Sequence, residues 1–377
     1  MAKYKLGEIC EIVSGSTPKT GIAEYWDGNL KWITPAEIDD ESYIITDSAR
    51  KLTELGVKKT GLSPFPSGTV ILSSRAPIGK VAIAGCEMYC NQGFKNLICS
   101  DRINNRYLYW FLKGNTAYLN SLGRGATFKE ISKKIVSDIE INVPEISQQL
   151  AAVDALERVS EIIRLRKNQL QKLDELVKAR FVELFGDCKS MVSMNELCSI
   201  ITDGTHQPPR FQESGIPFIF VSNLVGNVVT YNAEKFISED TYAELYKRTP
   251  IEIGDLLLST VGSYGHPAVV TEDRKFLFQR HIAYLKPRHN MVNSFYLHSA
   301  LLAPDGQRQI EEKVKGIAQK TLNLSEIKKI VVPLPTIEEQ NQFEQFVNRV
   351  DKSKVAVQKS LDEAQLLFDS LMQQYFG

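Results

Sequence analysis

Apolar residues recur every seven positions in two stretches of the chain, residues 146–184 and residues 337–375. In the first stretch the repeating positions are Leu156, Ile163, Leu170, Val177 and Leu184. In the second stretch they are Val347, Lys354, Leu361, Phe368 and Tyr375. The positions three residues further on are mostly apolar as well: Val159, Arg166, Leu173 and Arg180, then Val350, Val357, Ala364 and Leu371. Spacing of this kind is typical of the seam of a coiled coil, and it predicts two long amphipathic helices.

Both predicted helices have recognisable ends. Pro144 and Pro335 precede them, whereas Gly186 and Gly377 follow them. Proline before the first turn and glycine after the last turn are ordinary start and stop signals. A helix of nearly 40 residues is about 57 Å long at a rise of 1.5 Å per residue. We therefore expect two rod-like segments, each much longer than a helix in an average globular domain.

A helix with one apolar stripe has to bury that stripe against a partner. The other copy is the obvious candidate, so we expect the two helices to pack as an antiparallel coiled coil. The alternative is packing against a second protein. The charged seam residues Arg166, Arg180 and Lys354 are compatible with both interpretations.

The chain also repeats itself over a long period. Pro144 corresponds to Pro335, and Gln149 corresponds to Gln340, each 191 residues further on. Phe185-Gly186 corresponds in the same way to Phe376-Gly377. The repeat predicts one unit used twice, with globular domains at residues 1–145 and 190–336 and long-helix segments at residues 146–189 and 337–377.

Each globular part mixes strands and helices without regular alternation. Strands are expected at residues 70–74, 81–84 and 139–143, and in the second copy at residues 256–260, 268–271 and 330–333. Helices are expected at residues 105–122 and 293–302. The fold class is therefore α+β, with two domains joined by the long helices in an internal repeat of pseudo-two-fold symmetry.

Several loops place hydroxyl and amide side chains beside basic ones. Asn, Gln and Arg match the edges of bases, whereas Ser, Thr and Lys suit phosphates. In the first half the candidates for DNA binding are Thr17, Lys19, Arg75, Gln92, Lys95, Arg124 and Thr127. In the second half they are Thr205, His206, Arg210, Ser263, Gln279, Arg280 and Gln319. The alternative for any one of them is an ordinary solvated loop residue.

Composition narrows the class of protein. The formal net charge is zero, with 45 basic and 45 acidic residues, so a basic footprint must be a local patch or be supplied by a partner. The absence of a long apolar run or a signal sequence predicts a cytoplasmic protein with reduced thiols. Cys86, Cys90 and Cys99 form the only cysteine cluster. They lack a fourth ligand for zinc, so we expect neither metal nor cofactor.

Particular motifs carry a resemblance to a known family. They are SGSTPK, EYWDG, KWIT, LSSRAPIGKVAI and NQGFKNL in the first half, then DGTHQPPR, GIPFI and VPLPTIEEQ in the second half. Together they resemble the specificity subunits of type I restriction-modification enzymes, over essentially the whole chain. The resemblance implies two domains that each read one half of a bipartite DNA site. It also implies two helices that set the gap between the half-sites and bind two modification subunits, with restriction subunits joining through that complex.

Motifs for catalysis are missing from the sequence. The closest approach to a metal nuclease is Pro304-Asp305 followed by Glu311-Glu312-Lys313, but its spacing is short and residues 307–315 predict a helix. We therefore expect a non-catalytic subunit of a methyltransferase and endonuclease complex. The rival hypotheses are a scaffold that binds only proteins and an orphan regulatory protein that does not direct restriction.

Overall fold

The computed structural model describes residues 2–75, 77–125, 129–316 and 319–377. The chain divides into two compact units. Unit 1 contains the chain up to Arg166 together with Ser360–Gly377, and unit 2 contains Lys167–Lys359. Each unit therefore combines one globular part with a piece of both long helices.

Unit 1 is built mainly from short strands. These are β1 (Ala2–Lys5), β2 (Cys10–Val13), β3 (Trp26–Ile33), β4 (Ile44–Ile45), β5 (Arg50–Leu52), β6 (Val70–Ser74), β7 (Ile78–Ala84), β8 (Tyr89–Cys90), β9 (Asn96–Cys99) and β10 (Glu140–Val143). Its helices are α1 (Leu6–Ile9), α2 (Glu54–Thr60), α3 (Asn105–Gly114), α4 (Thr116–Ser121), α5 (Lys133–Ser137) and the start of the first long helix α6 (Ile146–Phe185), with 3-10 turns at Ala23–Tyr25 and Pro35–Glu37.

The strands of unit 1 form three sheets. Their orders are β2-β9-β6-β7-β4, β5-β3-β8 and β1-β10. Helix α3 packs against β6 and β7, and its Tyr107, Leu108 and Leu112 are almost completely buried in the core between helix and sheet. The predicted helix over residues 105–122 is interrupted at Asn115, whose side chain donates a hydrogen bond to the Phe111 carbonyl oxygen (2.8 Å).

Unit 2 has a closely similar set of elements. Its strands are β11 (Met191–Ser193), β12 (Cys198–Asp203), β13 (Ile216–Ile219), β14 (Phe236–Ile237), β15 (Leu256–Ser259), β16 (Pro267–Val269), β17 (Leu277–Phe278), β18 (Ile282–Pro287) and β19 (Val331–Pro333). Its helices are α7 (Met194–Leu197), α8 (Glu239–Leu245), α9 (Ser294–Leu302), α10 (Pro304–Lys313), α11 (Leu324–Ile327) and the start of the second long helix α12 (Ile337–Phe376), with a 3-10 turn at Val221–Leu224.

The sheets of unit 2 repeat those of unit 1. The order β12-β18-β15-β16 matches β2-β9-β6-β7, β14-β13-β17 matches β5-β3-β8, and β11-β19 matches β1-β10. In both units the central strand of the three-stranded sheet has a parallel neighbour, β8 beside β3 and β17 beside β13. The internal repeat and the α+β class predicted from the sequence are therefore confirmed.

The long helices begin and end within one residue of their predicted bounds. Most of the predicted seam is buried or half-buried, but Leu184 is 45% exposed, so its assignment to the seam was wrong. Phe181 and Phe185 are buried at that end of α6 instead. A straight helix drifts by about 20° per heptad relative to a strict seven-residue repeat, which accounts for the shift after several turns.

Contacts between the long helices occur inside each unit. In unit 1 the Arg166 side chain donates a hydrogen bond to Ser360 Oγ (3.2 Å). In unit 2 Lys354 Nζ lies 2.7 Å from Asp174 Oδ1 and 3.1 Å from Asp351 Oδ1, so this charged seam residue is paired. The early part of α6 thus meets the late part of α12, and the late part of α6 meets the early part of α12.

A buried glutamine fixes the start of each long helix. Gln149 is fully buried, and its amide accepts from the Asn104 backbone N–H (2.8 Å) and donates to the carbonyl oxygens of Pro144 (2.8 Å) and Arg102 (3.0 Å). Gln340 makes the matching set with the backbone of Asn293, Pro335 and Met291. This explains why proline and glutamine recur together in the sequence repeat.

Gln340→Ala should destabilise unit 2 because it leaves buried backbone groups without partners. Loss of one such hydrogen-bond partner costs roughly 1–3 kcal/mol of unfolding free energy. Chemical denaturation followed by circular dichroism measures this loss. The exposed Gln345 on the same helix provides the control. An equal effect of Gln345→Ala would contradict the role of the buried amide.

Candidate nucleic-acid interface

In unit 1 the predicted basic residues gather around one carboxylate. Lys95 Nζ lies 3.2 Å from Glu130 Oε1 and 3.3 Å from Ser74 Oγ, and Arg75 Nη1 lies 3.9 Å from Glu130 Oε2. Backbone bridges also pair Glu130 with both Arg75 and Arg124. The Lys95 side chain is only 9% exposed, and its ammonium group is paired with Glu130. The loops thus form a local basic patch on a chain that has no net charge.

Two neighbouring loops bring further candidates to this patch. Thr17 Oγ1 donates to Gln92 Oε1 (2.5 Å), and the adjacent Gly93 carbonyl accepts from the Ser74 backbone N–H (2.7 Å). A side chain at Gly93 would come within 3.6 Å of Arg75 Nε, so Gln92 and Arg75 are near neighbours. Lys19 follows in the same loop as Thr17, where its carbonyl accepts from the Trp26 indole (3.3 Å). Thr127 lies outside the described residues.

In unit 2 the candidates line two cavities. One, of about 280 Å³, is lined by residues that include Arg280, Gln319 and Asp203. The other, of about 540 Å³, is lined by the loop Gly204 to Arg210 and by Arg248. The Arg280 backbone N–H donates to the Thr205 carbonyl (3.1 Å), which ties the two loops together.

The remaining candidates of unit 2 lie on the same loops. Gln279 bridges Thr205 through the backbone. Ser263 lies in the turn whose Gly262 donates to the Lys320 carbonyl (3.4 Å), next to Gln319. Arg280 Nε donates to His281 Nε2 (3.3 Å), and burial together with the Arg280 charge lowers the pKa of His281. A neutral His281 can accept this hydrogen bond.

The two surfaces use the same backbone framework. Ser16 N–H donates to the Cys90 carbonyl, and Thr205 N–H donates to the Phe278 carbonyl, each at 3.0 Å. The glycines before them are required, because a Cβ would lie 1.8 Å from the Cys90 oxygen at Gly15 and 2.3 Å from the Phe278 oxygen at Gly204. Since Ser16 matches Thr205, the next residue of unit 1, Thr17, is equivalent to His206.

A second set of backbone bonds completes the correspondence. Ser74 and Thr260 accept from Ile131 and Leu322, at 3.0 Å and 2.8 Å. Bridges pair Arg124 with Glu130 and Lys315 with Thr321. Arg124 is therefore equivalent to Lys315.

Three polar residues of these surfaces were not among the candidates identified from the sequence: Glu130, Asp203 and Arg248. Asp203 belongs to the DGTH segment, so its position beside the candidate Thr205 was a usable signal. Arg248 and Glu130 come from distant segments without a recognisable motif. Only the tertiary fold brings them to the loops.

The cysteines and acidic groups show no sign of a metal centre. Among the described residues no group of three or more His, Cys, Asp or Glu side chains could hold a metal ion. Burial raises the pKa of Cys90 to about 12, and the hydrogen bond between Cys10 and Cys99, together with burial, raises the pKa of Cys10. These thiols stay protonated and behave as small apolar side chains.

The family model for the type I restriction modification DNA specificity domain matches this chain twice, over residues 1–175 and 190–364. The chain belongs to this family. The specificity subunit of the type I restriction enzyme MjaIX from Methanocaldococcus jannaschii is 30% identical over 96% of this chain and 90% of its own length. The EcoBI specificity subunit from Escherichia coli is 28% identical over 72% of this chain and 64% of its own length.

Solved structures share the fold of this type I specificity family member. A chain from a structure concerned with complex assembly and conformational transition of the type I R-M system has a TM-score of 0.62 and 20% identity, covering 100% of this chain and 97% of its own. The S subunit of the type I system from M. genitalium has a TM-score of 0.55 and 14% identity, covering 100% and 96%. Within the described part of the chain, no helix is long and apolar enough to cross a membrane.

Proposed function

We propose that the protein reads a bipartite site on double-stranded DNA, with the loops of unit 1 contacting one half-site and the loops of unit 2 the other. The observation that carries this proposal is one backbone framework built twice with different side chains. Thr17 and Gln92 in unit 1 occupy the positions that His206 and Arg280 occupy in unit 2. Because side chains that present different hydrogen-bonding groups select different bases, the two half-sites should differ in sequence.

We further propose that residues 1–145 and 190–336 are the recognition domains and that residues 146–189 and 337–377 are spacer segments. The contacts of Arg166 with Ser360 and of Lys354 with Asp174 support an antiparallel pairing of the two long helices. Such a pair would act as a coiled-coil spacer that fixes the gap between the half-sites.

The long helices also offer apolar surface to a partner. In unit 1, Leu165 is 52% exposed and Leu366 is 70% exposed. In unit 2, Val355 is 71% exposed. We propose that two modification subunits bind along these helices and supply the methyl-transfer chemistry, and that restriction subunits join through them. The chain itself is proposed to be non-catalytic and cytoplasmic. In the nuclease-like segment, Asp305 lies on helix α10 and is paired with Arg308 of the same helix.

Arg75→Ala and Arg280→Ala should each weaken recognition of one half-site only. Loss of an arginine contact to a base edge costs about 1–3 kcal/mol of discrimination at that base pair. Methylome sequencing of cells that carry each variant with its modification subunits measures which half of the site is relaxed.

Arg308→Ala is the matched control for Arg280→Ala. Arg308 is exposed in unit 2, but its partners Asp305 and Glu312 belong to its own helix. This variant should leave the methylated sequence unchanged. A protein that serves only as a scaffold would show no dependence of methylation on Arg75 or Arg280, and that outcome would refute DNA reading by these loops.

A further inference from the structure

Asp203, at the end of β12, holds two basic side chains at once. Its Oδ1 lies 2.6 Å from Arg248 Nη2, and its Oδ2 lies 2.8 Å from His206 Nε2. The Asp203 side chain is 18% exposed, whereas those of Arg248 and His206 are both 52% exposed. The carboxylate is thus a largely covered anchor, and the groups that it anchors face solvent.

Asp203 and its two partners connect the two cavities described above. Asp203 lines the smaller cavity together with Arg280 and Gln319, and Arg248 lines the larger cavity. His206 and Arg210 line that larger cavity as well. Arg248 therefore lies among the candidate DNA-reading residues, although it comes from the segment that follows α8.

A carboxylate on a surface that meets DNA repels the negatively charged phosphates. Its presence there therefore calls for another role that compensates for this cost. Here each carboxylate oxygen is paired with a basic side chain, Arg248 or His206, so the carboxylate can fix the position of both. A guanidinium is planar and carries five N–H donors, and an arginine held on one side presents its other donors in a defined plane. Arginine in this state suits the O6 and N7 acceptors of guanine, the commonest specific contact in the major groove.

Unit 1 lacks this arrangement. Gly15 is equivalent to Gly204, so the residue in the place of Asp203 is Ser14. Unit 1 carries its carboxylate at Glu130 instead, where the equivalent residue of unit 2 is Thr321. The position of the carboxylate therefore distinguishes the two surfaces, as expected if they read different sequences.

We propose that Arg248 is a specificity-determining residue for the half-site read by unit 2, that it contacts a guanine, and that Asp203 is the residue that positions it. This inference rests on the proposed function, because it names one contact within the DNA-reading surface. Arg248 acts on one base pair, and Asp203 acts through Arg248.

The test uses the full chain assembled with its modification subunits. Binding is measured at fixed salt against duplexes that each carry one substituted base pair of the recognised site. Arg248→Lys keeps the positive charge but loses the planar fork. We expect it to lose about 5- to 150-fold of discrimination at one guanine of one half-site, with little change in the salt dependence of binding. Asp203→Asn should relax the same base pair.

Arg274→Lys provides the matched control. Arg274 lies in the same unit, is also 52% exposed and is also paired with a carboxylate, that of Glu272 at 3.9 Å. It lies outside the loops of the recognition surface. The unfolding midpoint of each variant is measured in parallel, so that a loss of folded protein is separated from a loss of discrimination.

Each result decides between distinct possibilities. Loss of discrimination at one base pair in both Arg248→Lys and Asp203→Asn, but not in Arg274→Lys, supports the proposal. An Arg248→Ala variant that weakens binding equally for all sequences and reduces the salt dependence would show a phosphate contact and overturn it. A lower unfolding midpoint with an unchanged base preference would show a structural ion pair and also overturn it. If the wild-type complex has no base preference at all, the proposed function itself fails.

Discussion

Replacing Phe343 by alanine should lower the free energy of unfolding of unit 2 by about 3–5 kcal/mol, the usual range for a buried aromatic side chain. Phe343 is 1% exposed, and its ring centroid lies 5.5 Å from Phe181 and 5.6 Å from Phe185. Tyr296 of α9 completes this aromatic cluster. The substitution leaves a cavity at the point where both long helices meet the globular part of unit 2.

Equilibrium denaturation followed by far-ultraviolet circular dichroism measures this loss. Val355→Ala, on the same helix at a position that is 71% exposed, should change the free energy of unfolding by no more than about 0.5 kcal/mol. If both variants unfold at the same denaturant concentration as the wild-type protein, the aromatic cluster does not contribute to the stability of unit 2.

Exchanging residues 190–336 for the corresponding segment of another family member should change one half of the recognised DNA sequence and leave the other half intact. The reason is that the loops of the proposed interface in unit 2 all lie within this segment. Each mismatched base pair costs about 1–3 kcal/mol, so several changed positions together alter the preferred half-site completely.

Methylome sequencing of cells that express the hybrid reads both halves directly. The reciprocal exchange of residues 1–145 is the control and should change only the other half. A hybrid that alters both halves would show that the two units do not read DNA independently.

The long helices were predictable because their signals are local and repeated. Apolar spacing, the preceding prolines and the following glycines all agreed, and the structure places both ends within one residue of expectation. Leu184 was misplaced because the strict heptad overlooks the gradual rotation of a straight helix. The burial of Phe181 and Phe185 then decides which side of the last turn faces the core.

The proposed recognition surfaces were only partly predictable. Residue type and loop position identified Arg75, Lys95 and Arg280, which the fold places in the two clusters. Nothing local marks Arg248, because its role depends on a carboxylate 45 residues away in the chain. Glu130 and Asp203 also offset part of the positive charge of the basic residues with which they pair.

Because unit 1 combines the chain up to Arg166 with Ser360–Gly377, two segments that are far apart in the sequence build one folded body. Phe368, Met372 and Phe376 pack against the core that Tyr107 and Leu156 share in the first half of the sequence. A chain that stops after Lys359 would lose this packing, and unit 1 would be damaged, whereas unit 2 would keep every one of its residues. Under the proposed function, such a truncation impairs reading of the half-site assigned to unit 1, although the lost residues follow unit 2 in the chain.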